Sequence, residues 1–239
     1  MPAMTPSISR RGSRAPSTTF GPLSTVRYTV DGVDFDMVRV PPGRFVDGEG
    51  ATRRELLVSR PFELGVAPVT QALWQAVMGS NPSKFIGEDL PVESVRWEAA
   101  QGFLDQLRNL GLSGFRLPAE AEWAWAVRCG APTRWAGADR AQSVATVKVQ
   151  QTAPVAGLSS SAVGAFDFSG NVLEWQQDLW TEAPLAGFDI QGPASGLRRV
   201  HRSGGWYYGR EEAQVAVRGS LTLRDGFYDL GFRLLRRGL

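Results

Sequence analysis

Val200-His201-Arg202-Ser203-Gly204-Gly205-Trp206-Tyr207-Tyr208, then Ala216-Val217-Arg218, then Leu230-Gly231-Phe232-Arg233-Leu234-Leu235 decide how this chain is read. The ends of this stretch read as strands, Val200 before the Gly pair and residues 232–235 at the close. Between them lie Tyr207, Tyr208, Arg210, Arg224, Phe227 and Tyr228, in segments too irregular and Gly-rich to form a core. Exposed Tyr and Arg give broad contact area at low entropic cost, which is the composition of a binding surface. The stretch holds no Cys, and its one His is His201. Chemistry that needs a thiolate or a cluster of imidazoles is not expected there.

Two further segments lie upstream in order: Phe115-Arg116-Leu117-Pro118-Ala119-Glu120-Ala121-Glu122-Trp123 and Phe166-Asp167-Phe168-Ser169-Gly170-Asn171-Val172-Leu173-Glu174-Trp175. Together with Gly231-Phe232-Arg233, these motifs resemble the formylglycine-generating-enzyme / sulfatase-modifying-factor family, from about Met37 to Leu235. Pro41-Pro42-Gly43, Pro68-Val69-Thr70 and the segment from Pro91-Val92 to Trp97 fit the same pattern. The resemblance implies an α+β variant of the C-type lectin fold: a small twisted antiparallel sheet, two main helices and extensive ordered loops. That family holds copper oxidases, iron-dependent sulfoxide synthases and non-catalytic binders. Among the binders are the variable proteins of diversity-generating retroelements, whose surface residues near the C-terminus are diversified.

By that match the ligand-binding positions would be Tyr207, Tyr208, Arg210, Ser220, Leu221, Leu223, Arg224, Phe227, Tyr228 and Asp229, facing a protein ligand. Trp206 reads as a structural aromatic, and Arg218 and Arg233 as framework residues. Leu221 and Leu223 alternate with polar neighbours, so an ordinary strand with one buried face is the competing reading. The oxidases use two cysteines in the segment corresponding to residues 206–218. This chain has Tyr207, Tyr208, Gly209, Arg210, Glu211, Glu212 and Ala213 there, so no copper, iron or haem is expected. The alternative is an oxygen- or metal-dependent enzyme of the same family with a non-standard site, since Tyr and Arg can move protons when their pKa values are shifted.

The resemblance also implies a calcium loop, with the side chains of Asp167 and Glu174 and the carbonyls of Gly170 and Val172 as ligands. Calcium takes several hard oxygens, mixing carboxylate and carbonyl. The competing reading is a metal-free turn in which Asp167 and Glu174 accept backbone N–H groups.

Composition narrows the field further. The chain has 239 residues, enough for one domain with a substantial core. Residues 1–24 read as a disordered basic tail and 25–239 as the single domain. Residues 1–20 carry Arg10, Arg11 and Arg14 and no acid. The remainder has 23 basic residues against 24 acidic, a balance of −1. A near-neutral body argues against nucleic acid as the main partner. Cys129 is the single cysteine, so no internal disulfide exists, and its apolar context reads as burial. Residues 12–21 are too polar for an export signal behind Arg10-Arg11, and no apolar run is long enough to span a membrane, so a cytoplasmic protein is expected.

Local signals place the elements. Asp31-Gly32 between 28–30 and 35–40 is a hairpin turn, and 55–58 and 62–64 are candidate strands. Thr70 caps a helix closed by Gly79, with Leu73, Trp74, Val77 and Met78 inward. A second helix runs from Trp97 to Asn109 on Ala100, Phe103, Leu104 and Leu107. A third starts near Pro118 and stops at Gly130, without the polar cap residue that the family has at Ala119. A short strand is expected over 144–149, within loops that cover 131–164 and 181–199. No other catalytic set emerges. His201 is the sole imidazole, Glu120 and Glu122 point apart on a helix, and Ser203-Gly204-Gly205 lacks the spacing of a phosphate loop.

Overall fold

The turn at Asp31-Gly32 has φ of 46° and 77°, both left-handed. A two-residue hairpin needs that geometry to match the twist of its strands. It joins β1 (Thr25–Val30) to β2 (Val33–Val40), paired in antiparallel register. The structure, a computed structural model, describes residues 23–48, 50–129, 133–138, 140–143 and 145–237. The tail expected over 1–24 therefore lies almost entirely outside the described residues, as does the helix stop at Gly130.

After the hairpin come β3 (Gly43–Asp47), β4 (Arg54–Val58), β5 (Phe62–Gly65), α1 (Gln71–Met78), α2 (Trp97–Asn109), β6 (Phe115–Arg116) and α3 (Glu120–Arg128). The second half contributes β7 (Ala145–Thr146), β8 (Ser169–Gly170), β9 (Leu173–Leu179), β10 (Gly187–Phe188), β11 (Arg198–Arg202), β12 (Gly219–Thr222), β13 (Leu230–Phe232) and β14 (Leu235–Arg236). These strands form four small sheets, not one: β1-β2-β5-β14-β6, β10-β4-β3, β12-β11-β9-β13 and β7-β8. Three of the pairings, β10 with β4, β13 with β9 and β7 with β8, are parallel. The expected loop over 181–199 thus contains β10, and the strand expected over 144–149 shrinks to two residues.

The five-stranded sheet separates two apolar clusters. Met37 belongs to one and Val38 to the other, and Leu234 and Leu235 divide in the same way. Successive strand residues point to opposite faces, so each strand feeds both clusters. Helices α1 and α2 cover the Met37 side with Leu73, Trp74, Phe103, Leu104 and Leu107. Trp74 stacks on Phe103 at 5.4 Å, and Phe232 meets Phe103 edge-on at 5.4 Å. Each such side chain contributes about 1.5–3 kcal/mol by leaving water.

Helix caps follow the sequence at one helix and depart from it at another. Thr70 Oγ1 accepts the Leu73 N–H at 3.2 Å, and Gly79 closes α1 in the left-handed region. Helix α3 begins at Glu120, so Pro118 lies ahead of it rather than at its first position. The missing polar side chain at Ala119 is replaced from a distance: Asp178 Oδ2 accepts the Glu120 N–H at 2.7 Å. Glu122 Oε2 accepts the Ala119 N–H at 2.8 Å. Two of the four N–H groups left free at the helix start are thereby satisfied.

Candidate ligand-binding surface

The segment that decided the sequence reading runs tightly against the framework. Ser203 sits at φ 88°, with its Oγ within 3.2 Å of the Asp167 and Gly170 carbonyls. A Cβ at Gly205 would lie 2.4 Å from Asp229 Oδ2, so only glycine fits. The Trp206 N–H donates to the Asn171 carbonyl at 2.9 Å, and Trp206 Nε1 donates to the Tyr228 carbonyl at 2.9 Å. The carbonyls of Trp206 and Tyr208 accept the N–H groups of Val149 and Lys148. The Phe227 carbonyl accepts the Ser94 N–H at 2.9 Å. The backbone is anchored while the side chains of Tyr207, Tyr208, Phe227 and Tyr228 remain exposed.

Trp206 is buried and carries the exposed rings. Tyr207 and Tyr228 each lie 5.8 Å from it, and Tyr208 lies 5.9 Å from Tyr207. Tyr207 is 68% exposed, Tyr208 39%, Phe227 45% and Tyr228 43%. Phe85 packs edge-on to Trp206 at 5.5 Å, and Lys84 Nζ stands 4.1 Å from the Tyr228 ring centre. Glu93 holds this neighbouring segment by accepting the N–H groups of Lys84 and Phe85. Neither Lys84 nor Phe85 was marked by the sequence, because no local signal ties residue 85 to residue 206.

The remaining expected positions divide. Arg210 is exposed and lines a cleft of about 610 Å³ with Lys148, Gly209, Glu211 and Glu212. Ser220 and Leu221 lie on β12 and are half-buried, with Leu221 packed against the α1–α2 cluster. Arg224 is exposed, Leu223 half-buried. Asp229 departs from expectation: it is 5% exposed, under Gly205, and burial pushes its carboxyl up to about 6. It is part of the support under the surface and not of the surface.

The turn expected to hold calcium is closed by protein groups. Glu174 and Arg233 are both fully buried. Arg233 Nη2 donates to Glu174 Oε1 at 2.7 Å, while Arg233 Nε and Trp123 Nε1 donate to Oε2 at 3.0 and 2.7 Å. Asp167 Oδ2 accepts the Ala156 N–H at 2.7 Å, and the Gly170 carbonyl accepts Ser203 Oγ–H. Val172 is fully buried beside them. A guanidinium supplies Glu174 with the positive charge that a cation would have brought. Three of the expected ligand groups, the Asp167 and Glu174 carboxylates and the Gly170 carbonyl, thus already accept protein hydrogen bonds.

Reactive side chains are equally committed. Cys129 is buried, and burial raises its thiol to about 11. His201 lies on β11, and burial together with Arg198 and Arg202 lowers it to about 4. Glu120 pairs with Arg54, Arg202 and Arg218 at 3.0, 2.6 and 2.9 Å, whereas Glu122 pairs with Arg116 and Arg237. The two acids face different partners, as their spacing on α3 requires. Arg218 and Arg233 both act as framework, Arg218 through Glu120 and the Thr181 carbonyl. No helix among the described residues is long and apolar enough to cross a membrane.

Known proteins share this architecture. Treponema denticola variable protein 1 superposes with a TM-score of 0.83 at 29% identity, covering 90% of this chain and 99% of that one. A chaperone protein of Paenibacillus barcinonensis, LppX, is 26% identical over 260 aligned positions, spanning 85% of this chain and 90% of the relative. The formylglycine-generating enzyme of Mus musculus is 28% identical over 189 positions, which covers 70% of this chain but only 49% of that enzyme. The chain thus spans about half the length of that enzyme. The fold is the C-type lectin fold of the formylglycine-generating-enzyme type. The model of the sulfatase-modifying factor enzyme 1-like domain matches residues 32–238, and the chain belongs to that family.

Proposed function

We propose that this protein is a non-catalytic binder of the retroelement variable-protein type, presenting Tyr207, Tyr208, Phe227, Tyr228 and Arg210 to a protein ligand. The observation that carries this reading is the rigid support under free aromatic side chains. Trp206 and the backbone of residues 205–208 are fixed by hydrogen bonds, while Tyr207 keeps 68% of its surface in water. Pre-organised aromatics bind with little ordering cost, and exposed Tyr side chains supply both apolar area and a hydrogen-bonding tip. Likeness to the Treponema variable protein over nearly the whole of both chains supports the same reading. So does the single cysteine, which leaves no thiol pair for the oxidase chemistry of the family.

The test is sequencing of the 3′ coding segment across a growing population, beside a search for its near-copy in the genome. Changes confined to adenines in the codons of residues 207–229 are expected, with the codons of Trp206, Arg218 and Arg233 unchanged. A segment without such changes and without a copy would remove the retroelement reading. Loss of binding to a captured protein in Tyr207→Ala would still support recognition by the same face. A second reading, attachment to a client protein as a chaperone, is favoured by the end-to-end match to LppX. In that reading the client binds whether or not the codons vary.

A further inference from the structure

A second cleft, of about 320 Å³, opens beside the C-terminal end of α3. Arg53, Arg128 and Arg134 line it, with Thr133 and Gln214 between them, and none of the described lining residues is a carboxylate. Arg53 is exposed, and Arg134 is 56% exposed with only a distant Glu211 oxygen at 3.9 Å. Arg128 is 12% exposed and reaches the floor, where its Nη2 lies 3.2 Å from Asp47 Oδ1.

Behind Arg128 lies a buried ion cluster. Asp47 is shared by Arg54, Arg128 and Arg202, and Glu120 by Arg54, Arg202 and Arg218. Four guanidiniums thus meet these two carboxylates, with Asp178 accepting the Glu120 N–H beside them. Arg202 is fully buried, and its Nη2 donates to the Val215 carbonyl, while the Val215 N–H donates to the Arg134 carbonyl. The cleft wall is therefore fastened to the charged floor. The exposed guanidiniums of Arg53 and Arg134 meet no carboxylate in the described lining of the cleft, and an anion there would supply the countercharge. Guanidinium forks suit oxyanions because they donate two parallel hydrogen bonds. A volume near 300 Å³ is that of a small-molecule site.

We propose that this cleft binds a small multivalent oxyanion, either a phosphate ester or a polycarboxylate, at a place distinct from the aromatic face. Calorimetric titration of the full chain with pyrophosphate and with citrate, at ionic strength held constant by sodium chloride, tests it. Saturable one-to-one binding of either probe is expected, and the probe that binds identifies the source of the oxyanion. The variant Arg53→Gln/Arg134→Gln, which alters exposed side chains alone, should weaken it at least tenfold with an unchanged near-ultraviolet dichroism spectrum. Tyr207→Ala should bind the anion as the unmodified chain does. Heat that merely follows ionic strength, or equal affinity in the double variant, would overturn the proposal.

Discussion

Glu174 and Arg233, 59 residues apart, face each other through two hydrogen bonds of 2.7 and 3.0 Å with neither side chain touching solvent. Arg233 also donates to the Gly65 and Phe166 carbonyls, so one guanidinium ties β9, β5 and the loop before β8 together. Removing one member of a buried pair leaves the other uncompensated. Glu174→Gln and Arg233→Met should each cost roughly 3–5 kcal/mol in urea denaturation, and the double change less than the sum of the two. In the same experiments, millimolar calcium should leave the melting temperature unchanged. A clear rise would put an ion back at this turn.

Trp206 and Tyr207 are adjacent but should behave oppositely. Trp206 is buried and props two rings, so Trp206→Ala is expected to cost about 3–5 kcal/mol and to loosen the aromatic face. Tyr207→Ala removes an exposed ring and should change stability by less than about 0.5 kcal/mol. Thermal denaturation of the two variants side by side checks the contrast. Similar losses for both would mean that Tyr207 is packed rather than presented.

Asp178 gives a pH signature. Burial raises its carboxyl to about 7, while the Glu120 N–H and Arg54 pull the other way. A raised folded pKa adds stability that is full below the unfolded value near 3.8 and lost as pH rises through about 7. Asp178→Asn keeps an acceptor for the Glu120 N–H and removes the charge. The variant should therefore be the more stable protein at pH 8, by on the order of 2 kcal/mol, with the advantage vanishing toward pH 4. An advantage independent of pH would reject this assignment.

His201 acts with the opposite sign. Its folded pKa is lowered from 6.5 to about 4, chiefly by burial. Its contribution is present above pH 6.5 and is lost as pH falls toward 4. His201→Gln should remove that acid-side loss, measured as the slope of melting temperature between pH 6.5 and 4. An unchanged slope would assign it to other groups.

Thr70→Ala should destabilise the protein by about 1 kcal/mol through loss of the Leu73 N–H acceptor. Thr70→Ser should recover most of it, which separates capping from packing. Failure of serine to rescue would point to the methyl group instead.

How much of this was legible in the chain depends on the distance over which each feature is set. The Asp31-Gly32 hairpin, the Thr70 and Gly79 caps and the inward stripe of α2 rest on neighbours within four residues, and local spacing reveals them. The start of α3 falls two residues past Pro118, and its first N–H is held by Asp178, 58 residues away, which no local spacing reveals. Asp229 looked like one more polar residue in a variable-looking loop. Only the close approach of Gly205 shows that it is covered.

The amino-acid order alone determined the family motifs, the absence of a thiol pair, and the aromatic character of residues 206–208 and 227–228. Tertiary structure decided which of those rings meet, that Phe85 and Lys84 join them, and that Arg233 occupies the carboxylate expected to hold calcium. It also decided that Arg54, Arg128, Arg202 and Arg218 converge on Asp47 and Glu120. The physical reason is separation along the chain. Backbone preference and periodicity act over a turn or two, whereas a charge or a ring finds a distant partner only after the sheets and helices have packed.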